Sequence, residues 1–66
     1  MRLIQVLSNG RTRIEFYEVD DTKVRVKEIL LSTDIQVIKD KVIDKKIADA
    51  IAIRAVARGF VSIYSI

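Results

Sequence analysis

The 66-residue chain has no cysteine, histidine, proline or tryptophan, and each absence closes a class of chemistry. Without cysteine there is no disulfide and no thiolate metal site. Without histidine there is no imidazole ligand and no nucleophile–histidine pair. Glycine occurs only as Gly10 and Gly59, which leaves no glycine-rich loop to cradle a phosphate. A continuous apolar run is also missing. The start, Met1-Arg2-Leu3-Ile4-Gln5, has no signal-peptide core, and the weakly polar carboxyl-terminal half is interrupted by Asp49, Arg54 and Arg58. These features lead to the expectation of a soluble, cytoplasmic, non-enzymatic protein with no metal, no cofactor, no small-molecule substrate and no membrane partner.

Ile and Val together fill 19 positions against four for Leu, half of the residues are hydrophobic and 32% are charged. This is the composition of a folded domain rich in β-branched, sheet-forming side chains. One Met, one Asn and two Gln are few thermolabile residues, which would suit a thermophile. A chain this short buries only about 60% of its unfolded surface, and small scaffolds usually need a staple. With disulfides and zinc excluded, a homodimer is the expected one.

Asn9-Gly10 between two apolar runs signals a two-residue hairpin of type I′. Setting Ser8 opposite Arg11 places Leu3, Leu7, Ile14 and Phe16 on one face. At Asp20-Asp21-Thr22 a loop of three residues, or of five with the same parity, sets Phe16 opposite Val26 and Glu18 opposite Val24. It also sets Glu15 opposite Lys27 and Tyr17 opposite Arg25, with packing on one side and charge pairing on the other. The predicted result is a three-stranded antiparallel meander over about 2–8, 11–19 and 23–31. Its core face carries Leu3, Gln5, Leu7, Ile14, Phe16, Val24, Val26 and Leu30. The opposite face carries Arg2, Arg11, Arg13, Lys23, Arg25 and Lys27 around Tyr17, together with Glu15 and the apolar Ile4, Val6, Val19, Ile29 and Leu31.

Beyond Ser32, Thr33 and Gln36 match a capping box, and Ile35, Ile38 and Val42 share a helical face. The pattern predicts a helix from about residue 34. The β-branched content of 35–43 supports a strand hairpin turning at Lys39-Asp40-Lys41 as the alternative. The alanine-rich segment 45–58, closed by Gly59 at the C′ position, reads as helix. Its apolar stripe lies on a different side from that of 35–42. A continuous helix over 34–58 would run about 37 Å and overhang a sheet about 30 Å tall, exposing Ile47, Ile51, Ala55 and Val56. The alternating tail from Phe60 is a strand, either at the edge of the meander or paired with a second chain.

The expected fold is therefore a single small α+β domain over residues 1–66: meander, long and possibly broken helix, short terminal strand, dimerised through Ile47, Ile51, Ala55, Val56, Phe60, Val61 and Ile63. Asp40 and Asp44 are four apart among lysines and read as solvated charge pairs, and Asp20-Asp21 lacks the further ligands of a calcium loop. The basic sheet face, Arg11, Arg13, Tyr17, Lys23, Arg25 and Lys27, supports non-enzymatic binding of nucleic acid, duplex DNA before RNA, with affinity from counterion release and Tyr17 as a stacking platform. The alternative is a homo-oligomeric interaction or structural module whose basic side chains serve solubility. The run Lys46–Val56 is similar to a helix of the Alba chromatin proteins, and the basic meander resembles small archaeal chromatin proteins. Neither likeness spans more than a third of the chain, and neither brings a motif from which a residue's role could be transferred.

Overall fold

The computed structural model describes residues 1–32 and 34–66. The chain runs β1 (Arg2–Ser8), β2 (Thr12–Glu18), β3 (Lys23–Leu30), β4 (Gln36–Asp44), α1 (Lys45–Ala57) and β5 (Val61–Ser65). The fold is α+β: one five-stranded sheet in the order β4-β3-β2-β1-β5, every neighbouring pair antiparallel, with one helix. It follows that β4 and β5, the two edges, run in the same direction, and that α1 carries the chain from one edge of the sheet to the other.

The second hairpin has the register that its side chains call for. Phe16 faces Val26, Glu18 faces Val24, Glu15 faces Lys27 and Tyr17 faces Arg25. Asp20 closes the turn, its carboxylate accepting from the N–H groups of Thr22 and Lys23 and from the Thr22 hydroxyl. The first hairpin departs from the expected type I′ turn. Only the two glycines have positive φ among the described residues, so Asn9 does not adopt the conformation that turn needs. Instead the Asn9 side chain accepts from the N–H groups of Arg11 and Thr12, and Leu7 pairs with Ile14 rather than Thr12. This slip of two residues keeps every side chain on its face as far as Gln5. A bulge between Leu3 and Gln5 then inverts the alternation, so Ile4, not Leu3, packs against the core. Leu30, also expected inside, is exposed at the end of β3.

The larger correction concerns residues 34–44. No helix forms there: Gln36–Asp44 is an edge strand on β3, and the long or broken helix reduces to Lys45–Ala57. The proposed capping residue Thr33 lies outside the described residues, and Gln36 opens β4. Strand wins because pairing with β3 matches charges that a helix would leave in solvent. Lys23 sits opposite Asp44, Lys27 opposite Asp40 and Glu28 opposite Lys39.

Helix α1 spans about 20 Å, close to the width of five strands at about 4.8 Å spacing. Its first N–H donates to the carbonyl of Thr22, anchoring that end at the β2–β3 turn. The other end closes in a Schellman motif: Gly59 N–H donates to Val56 O and Phe60 N–H to Ala55 O, with Gly59 at positive φ as the motif requires. Ala48 and Ala55 are buried, and Ile51 and Ala52 lean on the same cluster of Leu7, Ile14, Phe16, Val24, Val26 and Phe60. Alanines let the helix backbone lie close to the sheet. Ile47 and Val56 are exposed as expected, whereas Ile51 is half-buried and Ala55 fully buried, because the shorter helix does not overhang. Among the described residues no helix is long and apolar enough to cross a membrane.

Ala55→Leu should cost about 1–3 kcal/mol by lifting the helix from the sheet, and Leu7→Ala about 2–5 kcal/mol through the cavity it leaves. Denaturant titration checks both. A neutral Ala55→Leu would show that the helix–sheet contact is loose.

Candidate interaction surfaces

The sheet face turned away from α1 holds the basic residues singled out in the sequence. Arg13 and Tyr17 alternate with the buried Ile14 and Phe16 on β2, and Lys23, Arg25 and Lys27 alternate with the buried Val24 and Val26 on β3. Among the described residues no further element of secondary structure covers that face. Arg11 lies in the first hairpin loop, exposed, its carbonyl accepting from the N–H of Leu31. Val6 and Ile29 share the face and are nonetheless buried, Val6 between Glu15 and Tyr64 in the register and Ile29 between Arg13 and Val37.

Most of these charges are already partnered. Arg25 makes a two-pronged contact with Asp40, Nε donating to Oδ1 at 2.7 Å and Nη2 to Oδ2 at 2.6 Å. Lys23 pairs with Asp44. Arg13 Nε stands 3.1 Å from Glu15 Oε2, an ion pair without hydrogen-bond alignment. The Tyr17 hydroxyl donates to Glu15 at 2.7 Å, and the Lys27 ammonium sits 5.5 Å from the centre of its ring. The ring that was to serve as a stacking platform is thus occupied on one side by a cation and tethered at its hydroxyl. Arg11 and Lys27 make no ion pair among the described residues.

Asp40 and Asp44 were missed as parts of this surface because residues 34–44 read as helix. The available signal was the complementarity of Lys23, Lys27 and Glu28 with Asp44, Asp40 and Lys39 when the two segments are laid antiparallel. Lys39 and Lys41 fall on the helix side of β4, opposite Glu28 and Val26.

The residues expected at an oligomer interface separate into two groups. Ala55 and Phe60 are buried in the chain's own core, and Ile51 leans on it, so these three are not free surface. Ile47, Val56, Val61 and Ile63 are exposed. Ile47 stands at the amino-terminal end of α1, beside a shallow hollow of about 520 Å³ lined by Asp21, Thr22, Asp44, Lys45, Lys46 and Asp49. Val56 stands at the other end, and Val61 and Ile63 lie on β5. Further exposed apolar side chains that the sequence reading did not assign to an interface are Val37, Ile38 and Val42 on β4, Ile53 on the outer side of α1, and Tyr64 and Ile66 at the carboxyl end. No group of three or more acidic side chains is placed to hold a metal ion among the described residues.

The ion pairs give stability a pH dependence with a definite sign. The hydrogen bonds from Arg25 hold the Asp40 carboxyl below the usual carboxylate range, and the Thr22 N–H does the same for Asp20. Folded-state values below the unfolded ones mean that the unfolded chain binds more protons. The stabilisation is therefore present above the ordinary carboxylate value and lost as pH falls below about 4. On the alkaline side, the hydrogen bond to Asp44 raises Lys23 and the bond to Glu15 raises Tyr17; stability from these two is present below their unfolded values and lost above about pH 10. Thermal unfolding followed by circular dichroism at pH 7 and pH 3 should show a smaller acid-induced drop in Tm for Asp20→Asn/Asp40→Asn than for the parent. Equal drops would mean that these carboxylates do not govern the acid limb.

No protein-family model, curated protein or solved structure matches the chain.

Proposed function

We propose that this protein is a non-enzymatic assembly module that works by associating with further copies of itself. The observation that carries this reading is how much apolar side chain one helix leaves uncovered: Val37, Ile38, Val42, Ile47, Ile53, Val56, Val61 and Ile63 are all exposed in a chain of 66 residues. Scattered apolar side chains are ordinary on a protein surface, but here they gather on both edge strands and on the helix. Val37, Ile38 and Val42 share one edge strand and Val61 and Ile63 the other, and exposed apolar groups clustered in this way serve association. The carboxylates on the opposite sheet face support the same reading, since Glu15, Asp40 and Asp44 are all committed to ion pairs.

A second reading, binding of DNA or RNA by the basic sheet face, is favoured by the net charge of +3 and by Arg11 and Lys27, which make no ion pair among the described residues. Its weakness is that the charges of Arg13, Lys23 and Arg25 are offset by Glu15, Asp44 and Asp40, which would repel an approaching phosphate.

Light scattering of the pure protein, with and without a short DNA duplex and at low and high salt, separates the two. Assembly predicts a mass above that of one chain, independent of duplex and insensitive to salt. A single-chain mass at every concentration would remove this reading. Nucleic-acid binding predicts a complex that weakens steeply as salt rises, and tighter binding by Asp40→Asn/Asp44→Asn, which frees Arg25 and Lys23. No complex at low salt with either protein would end the second reading.

A further inference from the structure

Among the described residues no strand pairs with the outer side of β4 or β5, and these two open edges differ in chemistry. An open edge presents a row of unpaired backbone N–H and C=O groups, a template for another strand unless charge or distortion protects it. The β4 edge is protected. Its centre reads Lys39-Asp40-Lys41, and a bulge interrupts its pairing with β3 between Glu28 and Ile29. When two copies of one strand pair antiparallel about a two-fold axis perpendicular to a continuous sheet, residues of the same face oppose one another. Such pairings centred on Lys39, Asp40 or Lys41 set that residue against its own copy, and centring on Val42 sets Asp40 against Asp44. Like charges directly opposite destabilise a strand pair, so the registers of longest overlap, those centred on Lys39, Asp40 and Lys41, are each penalised.

The β5 edge has a bulge too, at Ile63 in its pairing with β1, but it has no charge. From Val61 to Ile66 the chain reads Val-Ser-Ile-Tyr-Ser-Ile, with no charge and no proline. Val61, Ile63 and Ile66 are each 60% exposed or more. Whatever register two copies of β5 adopt, only Val, Ser, Ile and Tyr meet. Opposed branched and aromatic residues stabilise such pairs.

Resting on the assembly reading above, we infer that the occupant of the β5 edge is the β5 strand of a second copy. The two strands pair antiparallel and join two five-stranded sheets into one of ten. This arrangement is isologous and closes on itself, because the outer edges that remain are the two protected β4 strands, which stop growth at the dimer. A strand of five residues makes a small interface, toward the lower end of those that persist in solution. The dimer therefore separates on dilution.

Sedimentation velocity across a concentration series tests this with three proteins: the parent, Ile63→Lys, which puts charge on the β5 edge, and Ile53→Lys, which puts the same charge on the outer side of α1. A parent dimer that persists in Ile53→Lys and has its dissociation constant raised at least tenfold in Ile63→Lys is the expected result. A dimer that survives Ile63→Lys and is lost in Ile53→Lys overturns the edge inference and leaves assembly standing, whereas a parent monomer at every concentration overturns both. Because Ile63→Lys could disturb the β1–β5 pairing, amide exchange of the parent supplies a check without substitution. Protection of residues 61–66 should rise with concentration, and protection that does not change with concentration overturns the inference.

Discussion

One helix of thirteen residues has to close one face of five strands, and most of the architecture answers to that constraint. A helix that crosses the sheet from edge to edge must rest close to it. Alanine at 48, 52 and 55 allows this where larger side chains would hold the helix off. The same shortage of covering material explains Phe60, which follows the Schellman turn and fills the core from beyond the helix. It also explains why the core thins toward the strand ends and edges. Ile43 is half-buried, while Val42, its neighbour on the other side of β4, is exposed. The helix has one face to cover and reaches no further.

Much of the fold was legible because parity in a sheet is unforgiving. A one-residue slip between β2 and β3 would have put Phe16 against Arg25, so the order of side chains along the two strands selected the register that sets Phe16 against Val26. The same logic tolerated an error at Asn9-Gly10, since a slip of two residues leaves each side chain on its own face. Parity failed where the backbone inserts an extra residue. The bulge between Leu3 and Gln5 exchanges Leu3 for Ile4 in the core, and no side-chain pattern announces it. Gly59 and the alternation after Phe60 were local signals, and local signals of this kind carry over into the fold.

Residues 36–44 show where local reading runs out. Ile35, Ile38 and Val42 do fall at helical spacing, and Lys39-Asp40-Lys41 is compatible with an exposed helical face. What decides the outcome is non-local. Strand β3 already exposes Lys23, Lys27 and Glu28 along an unpaired edge, and β4 offers Asp44, Asp40 and Lys39 in the complementary order while satisfying β3's backbone groups. Misreading this segment also distorted the picture of the basic face. With 34–44 as helix, Arg25 and Lys23 stood free in a positive patch. With it as strand, each meets a carboxylate, and the excess positive charge moves outward to Arg11, Lys27 and the lysines of β4 and the start of α1.

That redistribution bears on the proposed self-association. A sheet with two unprotected edges would extend without limit, and one with two protected edges would gain nothing from association. Here the Lys-Asp-Lys centre serves both needs of β4, since Asp40 ties the strand inward to Arg25 while the flanking lysines repel a copy from outside. The opposite edge cannot be built that way. Strand β5 pairs with β1, whose Gln5, Val6, Leu7 and Ser8 offer no charge to match, so charge on β5 would gain no cross-strand ion pair of the kind that Asp40 and Asp44 give β4. The uncharged composition that lets β5 join its own sheet is also what leaves it open to another strand. The acidic residues of β4 therefore follow from the neighbour inside the sheet, since Lys23 and Arg25 hold Asp44 and Asp40, whereas Lys41 stands opposite Val26 and acts on the outer edge alone.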